Sequence, residues 1–367
     1  SDIAFGASTE LGALDTTRLA VPSGVFVGES FTSLDATTSN TGVYLSNTFA
    51  LAEHVALTVS GRYNETDVTL RDGLGTALDG DHSFYSFNPA VGLTVSFADG
   101  PGFYVGYSES NRAPSPVELT CADADDPCRL PNAFLADPPL EQVIAATIEA
   151  GLRGALAGGR WHVGVFRTLN EDDILFISAG ALTNEGYFDN VGRTRRDGLE
   201  VSLDGQIGAV GWFANYTYLE ATFRHDFAVP SPNNPQAIAG EVAVENGDRL
   251  PLIPSQLLKT GLRVTPSEKV TLGAEILASG DFHMRGDEGN DVDEIGGFAV
   301  VNIRGEYALD NGVRLFLNID NVLDREYETF GLFGDAEDVL GPAFDDDSTF
   351  LSPAAPRAAW LGVRVDF

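Results

Sequence analysis

The sequence contains no long hydrophobic run and only a small share of positively charged residues. No segment approaches the ~18 to 20 apolar residues of a membrane-spanning helix, which excludes a helical membrane bundle. The 22 Lys and Arg residues are outnumbered by 54 Asp and Glu residues, so the net charge is −32. This balance argues against nucleic acid or an anionic membrane surface as a partner, because both require a basic face. Two explanations of the acidity remain open: it serves solubility or a saline habitat, or it forms loops that attract cations.

Motifs that would indicate catalysis or metal binding are also lacking. The five histidines are scattered without metal-ligand spacing, and no Gly-x-Ser-x-Gly sequence or phosphate-binding loop occurs. We therefore predict that the protein is not an enzyme and has no cofactor. The acidic segment Gly286–Glu294 offers Asp287, Asp291 and Asp293 as oxygen ligands of the kind that calcium prefers. It lacks the full twelve-residue calcium-loop pattern, so we favour a solvated acidic loop and predict no metal.

Only two cysteines occur, Cys121 and Cys128, in the segment CADADDPC. A close pair with no other cysteine predicts one local disulfide, formed in an oxidising compartment. A zinc site is the alternative, but two thiols with no histidine nearby would supply only half of its ligands. The expected disulfide would staple the segment 110–141, which we predict to be a loop.

Glycine and aromatic residues, by contrast, are abundant. The 40 Gly, 23 Phe and 10 Tyr favour a β architecture. Apolar and polar residues alternate along many segments, for example VALTVS from Val55 and VTLGAEI from Val270. This alternation predicts about fourteen strands, near 24–33, 41–51, 54–70, 84–97, 102–109, 142–154, 160–172, 194–206, 211–222, 255–265, 269–280, 297–308, 312–323 and 357–367.

The lengths of these strands and of their connections indicate a membrane barrel. Most of the strands are far longer than the ~5–6 residues of globular proteins and reach the ~9–11 that a tilted bilayer crossing needs. Short connections such as 51–53 alternate with long ones such as 223–254, as in outer-membrane barrels. We therefore predict an all-β fold, a transmembrane antiparallel up-and-down β-barrel with about 14 strands visible of a larger barrel. A soluble sandwich or propeller is the alternative, which the strand length, loop asymmetry and charges on one face disfavour.

The chain ends in WLGVRVDF, an alternating strand with Phe367 as its last residue. This pattern is typical of outer-membrane barrel ends, which the barrel-assembly machinery reads through the terminal Phe. A strand that happens to end in Phe is the alternative interpretation. Counting back from Phe367 places every short connection on the periplasmic side and every long one outside.

Five segments resemble TonB-dependent outer-membrane receptors, in order and spacing, over roughly residues 41–367. They are YVGYSESNRAPSPVEL from Tyr104, LEQVIAATIEAGLRG from Leu140, NEDDILF with YFDNVGRTRRDGLEVSL, GDRLPLIPSQLLKTGL, and NVLDREYETFG from Asn321. Each segment is weak alone, but the five together with the terminus are specific. By this resemblance the chain is identified as a member of this family, which implies a location in the outer membrane of a Gram-negative bacterium.

The resemblance implies active uptake of a scarce nutrient, typically a ferric siderophore and less often haem, cobalamin or a glycan. Such receptors carry an N-terminal plug that contacts the TonB energy-transducing complex, and they have 22 strands. Here about fourteen strands are expected, residues 1–40 are poorly assigned, and no plug is recognised. The start SDIAFGAS shows no leader, so a signal peptide is absent, removed or outside this fragment. We expect the chain to be the C-terminal part of the barrel domain, spanning 1–367.

The candidate site residues lie on the face expected to line the lumen. Asn111 and Arg112, at a strand-to-loop exit, could contact cargo or plug, although a structural salt bridge of Arg112 is the favoured alternative. Further plug-docking or wall-pairing candidates are Glu149, Arg153, Arg196 and Glu200. The loop aromatics could stack on a ligand or equally form girdle or loop-core contacts; these are Tyr187, Phe188, Phe330, Phe333 and Phe344.

Two other functions remain possible. A passive porin-like channel would share the barrel but would need no energy coupling. A secreted β-rich binding or adhesion protein would share the alternation but would not reside in a membrane. The identity of the cargo cannot be read from loops, since they follow no general code.

Overall fold

The structure is a computed structural model that describes residues 2–19, 30–97, 100–124, 128–129, 140–156, 158–178, 185–309, 312–337, 341 and 348–365. Its strands are, in chain order, β1 (Asp2–Leu19), β2 (Ser30–Ala52), β3 (Val55–Asp72), β4 (Gly80–Val95), β5 (Gly102–Arg112), β6 (Cys128–Arg129), β7 (Val143–Leu156), β8 (Gly159–Glu171), β9 (Ile174–Ser178), β10 (Glu185–Asn190), β11 (Thr194–Ile207), β12 (Val210–Phe223), β13 (Phe227–Pro230), β14 (Glu241–Val244), β15 (Gln256–Ser267), β16 (Val270–Ser279), β17 (Phe298–Ala308), β18 (Val313–Asp320), β19 (Glu328–Phe333), β20 (Thr349–Pro353) and β21 (Ala358–Val365). A one-turn helix, α1 (Pro116–Leu119), follows β5. No helix in these ranges is long and apolar enough to cross a membrane.

Fourteen of the strands form one antiparallel sheet in which neighbours in space are neighbours in sequence. The order is β1-β2-β3-β4-β5-β7-β8-β11-β12-β15-β16-β17-β18-β21. Tight connections lie at one edge of this sheet, and the long connections, with the seven short strands, lie at the other. This is the up-and-down arrangement of a β-barrel wall, as predicted.

The two faces of the main sheet differ in polarity, because successive side chains of a strand point to opposite faces. The outer face carries large apolar side chains that are open to the surroundings, among them Leu262 (55% exposed), Leu272, Ile303 and Leu317. The inner face carries polar side chains in register, such as Glu275 opposite Gly261 and Asn302 opposite Glu275. An exposed apolar belt of this extent is suited to lipid rather than to water.

Aromatic rings on the main sheet repeatedly lie over a glycine of the neighbouring strand. Tyr104 is directly opposite Gly151, Phe166 is opposite Gly198, and Phe213 is opposite Gly261. A Cβ added at Gly151 would come within 2.5 Å of the Tyr104 ring, so only glycine leaves room for this flat orientation. The rings therefore lie against the wall instead of projecting from it.

The buried apolar residues lie mostly at the long-loop edge. One cluster joins the connection 172–193 to the connection 224–255 through Ile177, Tyr187, Val229 and Val242. A second joins 280–297 to the last long connection through Met284, Ile295 and Phe333. The loops at this edge therefore form a packed layer of their own.

Twelve of the predicted strands are confirmed to within a few residues, from β3 to β21. The prediction is wrong near the start, where it separated strands at 24–33 and 41–51. Residues 30–52 form the single strand β2, and its partner is β1, which the alternation did not reveal. Residues 24–29 lie outside the described residues, as does Phe367.

Candidate functional site

Asn111 and Arg112 line a polar cavity on the inner face, at the end of β5. The cavity has a volume of about 420 Å³, and its other walls come from β1, β2, β3 and the segment after β5. Glu10, Asn40, Asn64 and Thr66 contribute polar groups to it. Amide, hydroxyl, carboxylate and guanidinium groups thus surround one space, which is suited to a polar ligand.

Asn111 is the centre of an amide network that fixes this wall. Its Oδ1 accepts hydrogen bonds from Asn88 Nδ2 (2.8 Å) and Asn64 Nδ2 (3.1 Å), on two other strands. Its Nδ2 donates to Gln142 Oε1 at 3.0 Å. Pro89 lies one residue after Asn88, and the β4–β5 pairing stops at Ala90. Since proline has no N–H to continue a ladder, side chains connect the strands beyond this point.

Arg112 is held by the turn that follows β5. Its Nη1 donates to both carboxylate oxygens of Glu118, at 3.0 and 2.8 Å. Glu118 also accepts from Ser115 N, and Ser115 Oγ accepts from Glu118 N, which completes a capping box for α1. The Arg112 side chain remains about half exposed (49%), so it lines the cavity as well as making this ion pair.

Three of the other predicted residues come together lower on the inner face, around Tyr104. On β7, Glu149 and Arg153 flank Gly151, the residue opposite Tyr104. Glu200 lies opposite Gly164, which in turn pairs with Gly151. Tyr104 Oη is 2.9 Å from His162 Nε2, and the two rings stack. This cluster is separate from the cavity at Asn111.

Arg196 belongs to neither group and lies at the long-loop end of β11. Its Nη2 donates to the buried Asp173 carboxylate at 2.9 Å, and Thr194 Oγ1 donates to the same oxygen at 2.6 Å. Burial by itself would raise the pKa of Asp173. The Arg196 charge and the hydrogen bonds from Thr194 and Asn170 instead hold that pKa below its usual value. Asp173 was not among the predicted residues, because its role depends on β8 and β11 meeting.

The loop predictions have a mixed outcome. The Cys121–Cys128 disulfide is confirmed, and it packs against Phe176 and Phe188. Asp287 is fully buried, accepts from Asp291 N at 2.9 Å and pairs with His283, whereas Asp291 and Asp293 are exposed. In the described ranges, no three His, Cys, Asp or Glu side chains are grouped to hold a metal.

The described loop aromatics pack within the loop layer, against different partners. Tyr187 and Phe333 are buried in the loop clusters, and Phe188 packs edge-on against Phe176. Phe330 lies over the Arg285 guanidinium. Phe344 lies outside the described residues.

An antiparallel up-and-down sheet with an apolar outer face, a polar inner face and a packed layer of long loops defines an outer-membrane type of β-barrel. Residues 4–322 match the family model "TonB dependent receptor-like, beta-barrel". The chain therefore belongs to the TonB-dependent receptor family, whose members are outer-membrane proteins of Gram-negative bacteria.

Among curated proteins, the chain is similar to a probable TonB-dependent siderophore receptor, PiuA of Acinetobacter baumannii, with 24% identity over 308 residues. That match covers 80% of this chain and 38% of the relative, so the chain spans well under half of the relative's length.

Solved structures confirm the fold. The crystal structure of that PiuA superposes with a TM-score of 0.65 at 19% identity, covering 90% of this chain and 43% of PiuA. The copper transporter OprC gives a TM-score of 0.70 at 19% identity, covering all of this chain and 54% of OprC. The ferric yersiniabactin uptake receptor FyuA of Yersinia pestis gives 0.67 at 15% identity, covering all of this chain and 51% of FyuA.

Proposed function

We propose that this chain is part of an outer-membrane receptor that takes up a scarce nutrient, of which a ferric siderophore is the leading example. The observation that carries the proposal is the polar cavity at Asn111 and Arg112, on the inner face of a barrel wall. A buried apolar cluster that includes Leu70, Leu119 and Val143 adjoins it on the long-loop side. The similarity to PiuA, a siderophore receptor, and to FyuA, a ferric yersiniabactin uptake receptor, supports the same class of cargo.

We propose further that uptake is energised by the TonB complex through a plug domain held inside the barrel. The cluster of Tyr104, Glu149, Arg153 and Glu200 offers both signs of charge on the inner face, and such groups can fix a plug by charge-assisted hydrogen bonds. Arg196 forms an ion pair with Asp173, so we propose that it stabilises the barrel wall and does not contact the plug. Insertion would depend on outer-membrane lipid around the apolar belt and on recognition of Phe367 by the barrel-assembly machinery.

The test is uptake by cells that lack other siderophore receptors. The full-length gene is expressed under iron limitation, and growth is measured with a panel of ferric siderophores, with and without a functional TonB. We expect growth on at least one ferric siderophore, and we expect that growth to require a functional TonB. Uptake that persists without TonB would instead indicate the passive channel, and recovery of the protein in the soluble fraction would indicate the secreted binding protein.

The cavity is tested by substitution in the same cells. Asn111→Ala removes the centre of the amide network, and Arg112→Ala removes the guanidinium at the cavity wall. Arg112→Ala should weaken cargo binding by roughly tenfold or more, because hydrogen bonds to a charged group are worth about 1.5–3 kcal/mol. Asn111→Ala should weaken it by roughly two- to tenfold, because hydrogen bonds of a neutral amide are worth about 0.5–1.5 kcal/mol. Arg160→Ala is the control, because Arg160 pairs with Asp204 beside the tight turns, far from the cavity. Equal binding by all three variants would rule out the cavity as the cargo site.

A further inference from the structure

Three long connections at the loop edge meet on a single side chain, Arg285. The residue belongs to the connection 280–297 between β16 and β17. Its guanidinium carbon lies 5.1 Å from the centre of the Phe176 ring and 5.3 Å from that of Phe330. Phe176 is in β9, within the β8–β11 connection, and Phe330 is in β19, within the β18–β21 connection. Both distances are in the range of cation–π attraction.

The backbone of Arg285 reinforces this junction on one side. Arg285 N donates to Gly331 O at 3.0 Å, and Phe333 N donates to Arg285 O, so the residue pairs with β19 as an isolated parallel bridge. Gly331 has no space for a side chain, because a Cβ there would overlap Ile295 and meet Met284. Towards β9, in contrast, the contact of Arg285 is through the guanidinium and the Phe176 ring.

The Phe176 side of the junction is itself anchored. Phe176 packs edge-on against Phe188 at 5.2 Å between ring centres, and both rings contact the Cys121–Cys128 disulfide. Phe188 N also donates to Cys121 O. The disulfide thus connects the β5–β7 connection to the same aromatic group that holds Arg285.

The strands that carry these loops are far apart in the sheet. From β11 to β18 there are five strand-to-strand steps, by way of β12, β15, β16 and β17. At ~4.8 Å for each step, the bases of the two loops are separated by roughly 24 Å along the wall. Loops that stood upright from their own strands would not touch. Because both loops contact the Arg285 guanidinium, they must lean towards each other along the long-loop edge of the sheet.

From this geometry we propose that Arg285 is a latch that joins the outer loops into a lid over the mouth of the barrel. Breaking the guanidinium contact with Phe176 loosens the β8–β11 loop from the β16–β17 and β18–β21 loops. The β8–β11 loop then keeps its packing on the β12–β15 loop, whose Ser231 and Asn234 donate to Gly286 O in the β16–β17 loop. The latch goes beyond the proposed uptake function, and its test uses no cargo. Failure of one proposal can therefore be distinguished from failure of the other.

The test is hydrogen–deuterium exchange of the intact protein purified in detergent, followed in peptides that contain 174–178 and 328–333. Arg285→Met keeps an apolar stem but removes the planar cation. It should speed exchange by roughly tenfold in both peptides, as expected for the loss of two cation–π contacts. Arg285→Lys keeps a cation and should give an intermediate effect. Arg325→Met is the matched control, because Arg325 is an exposed arginine in the β18–β21 loop.

Unchanged exchange of 174–178 in Arg285→Met would overturn the latch. If that variant does not fold, Phe176→Leu provides the second test. This change lies in the β8–β11 loop and should still speed exchange of 328–333, in a different loop. Exchange of 328–333 at the wild-type rate would overturn the proposal.

Discussion

Asp173 is a single buried carboxylate that contributes to the stability of the protein at the point where β8 and β11 meet the long-loop edge. It accepts hydrogen bonds from Thr194, Asn170 and Arg196, and it is 6% exposed. Asp173→Asn should lower the free energy of unfolding by about 1–3 kcal/mol, because Arg196 would lose its partner. Denaturant unfolding in detergent measures the loss. Asp172→Asn is the control, since Asp172 is exposed and has a positive φ that Asn tolerates.

The pH dependence of this contribution has a definite sign. The pKa of Asp173 is lowered in the folded state, so its stabilisation is present above the unfolded-state pKa of about 3.8 and is lost as the pH falls through the folded value. The difference between the wild type and Asp173→Asn should therefore shrink on acidification. A difference that stays constant below pH 3 would contradict the role of the charge.

Glu288 behaves in the opposite way. It is buried in the 280–297 connection, where desolvation raises its pKa to about 7, and Gly286 N donates to its Oε1. The folded state retains a proton that the unfolded state loses above about 4.5, so stability falls as the pH rises from there to about 7. The total loss would be roughly 3 kcal/mol. Glu288→Gln should remove this slope, while Glu241→Gln, at an exposed position, should leave it unchanged. The free energy of unfolding is measured from pH 5 to 8 for the wild type and both variants. A slope that persists in Glu288→Gln would contradict the assignment to Glu288.

Asn321 illustrates a residue whose motif was recognisable although its role was not. The alternation predicted a strand over 312–323, but β18 ends at Asp320. Asn321 has a φ of 49°, its Oδ1 accepts from Arg325 N, and its Nδ2 donates to Arg325 O. Asparagine tolerates this left-handed conformation better than most residues. The side chain therefore closes a turn that periodicity, which reports only alternation, could not reveal.

Among the elements, long strands with a polar and an apolar face were predictable, and short strands inside loops were not. The prediction found β3 to β5 and β15 to β18 because each alternates over many residues. It missed β9 and β10, whose burial pattern mixes both faces since they pack among other loops. It also missed β1. It divided β2, the partner of β1, into two strands because of the polar run around 35–40.

The glycine–aromatic pairs are a property of neighbouring strands that no single strand displays. Gly198→Ala would place a Cβ in the Phe166 ring and should destabilise the barrel by about 1–3 kcal/mol through overpacking. Adding Phe166→Leu should recover part of the loss, which a double-mutant cycle in detergent measures. Gly12→Ala is the control, because no atom lies within 4 Å of a Cβ there. Equal losses at Gly198 and Gly12 would show that the ring contact is unimportant.

For the whole molecule, the sequence predicted the barrel and the family but not how the candidate site is assembled. Asn111 and Arg112 were selected from a strand exit, yet the cavity also needs Glu10, Asn40 and Asn64 from three other strands. Those positions depend on register, which is fixed by pairing across the sheet and not by local pattern. The same reason explains why Arg285 was not predicted, since its two aromatic partners are more than 40 residues away in either direction.

The apolar outer face gives the sharpest test of a membrane position. Leu262, midway along β15, is 55% exposed and lies opposite Trp212 and Ala274. Leu262→Arg should destabilise the protein in lipid bilayers by about 2–4 kcal/mol, because the guanidinium would face hydrocarbon. Asn215→Arg is the matched control, since Asn215 is exposed on the polar inner face of β12, opposite Lys259. Reversible unfolding in liposomes measures both variants. If Leu262→Arg cost no more than Asn215→Arg, the outer face would not be in contact with lipid, and the apolar belt would have to be covered by another protein surface.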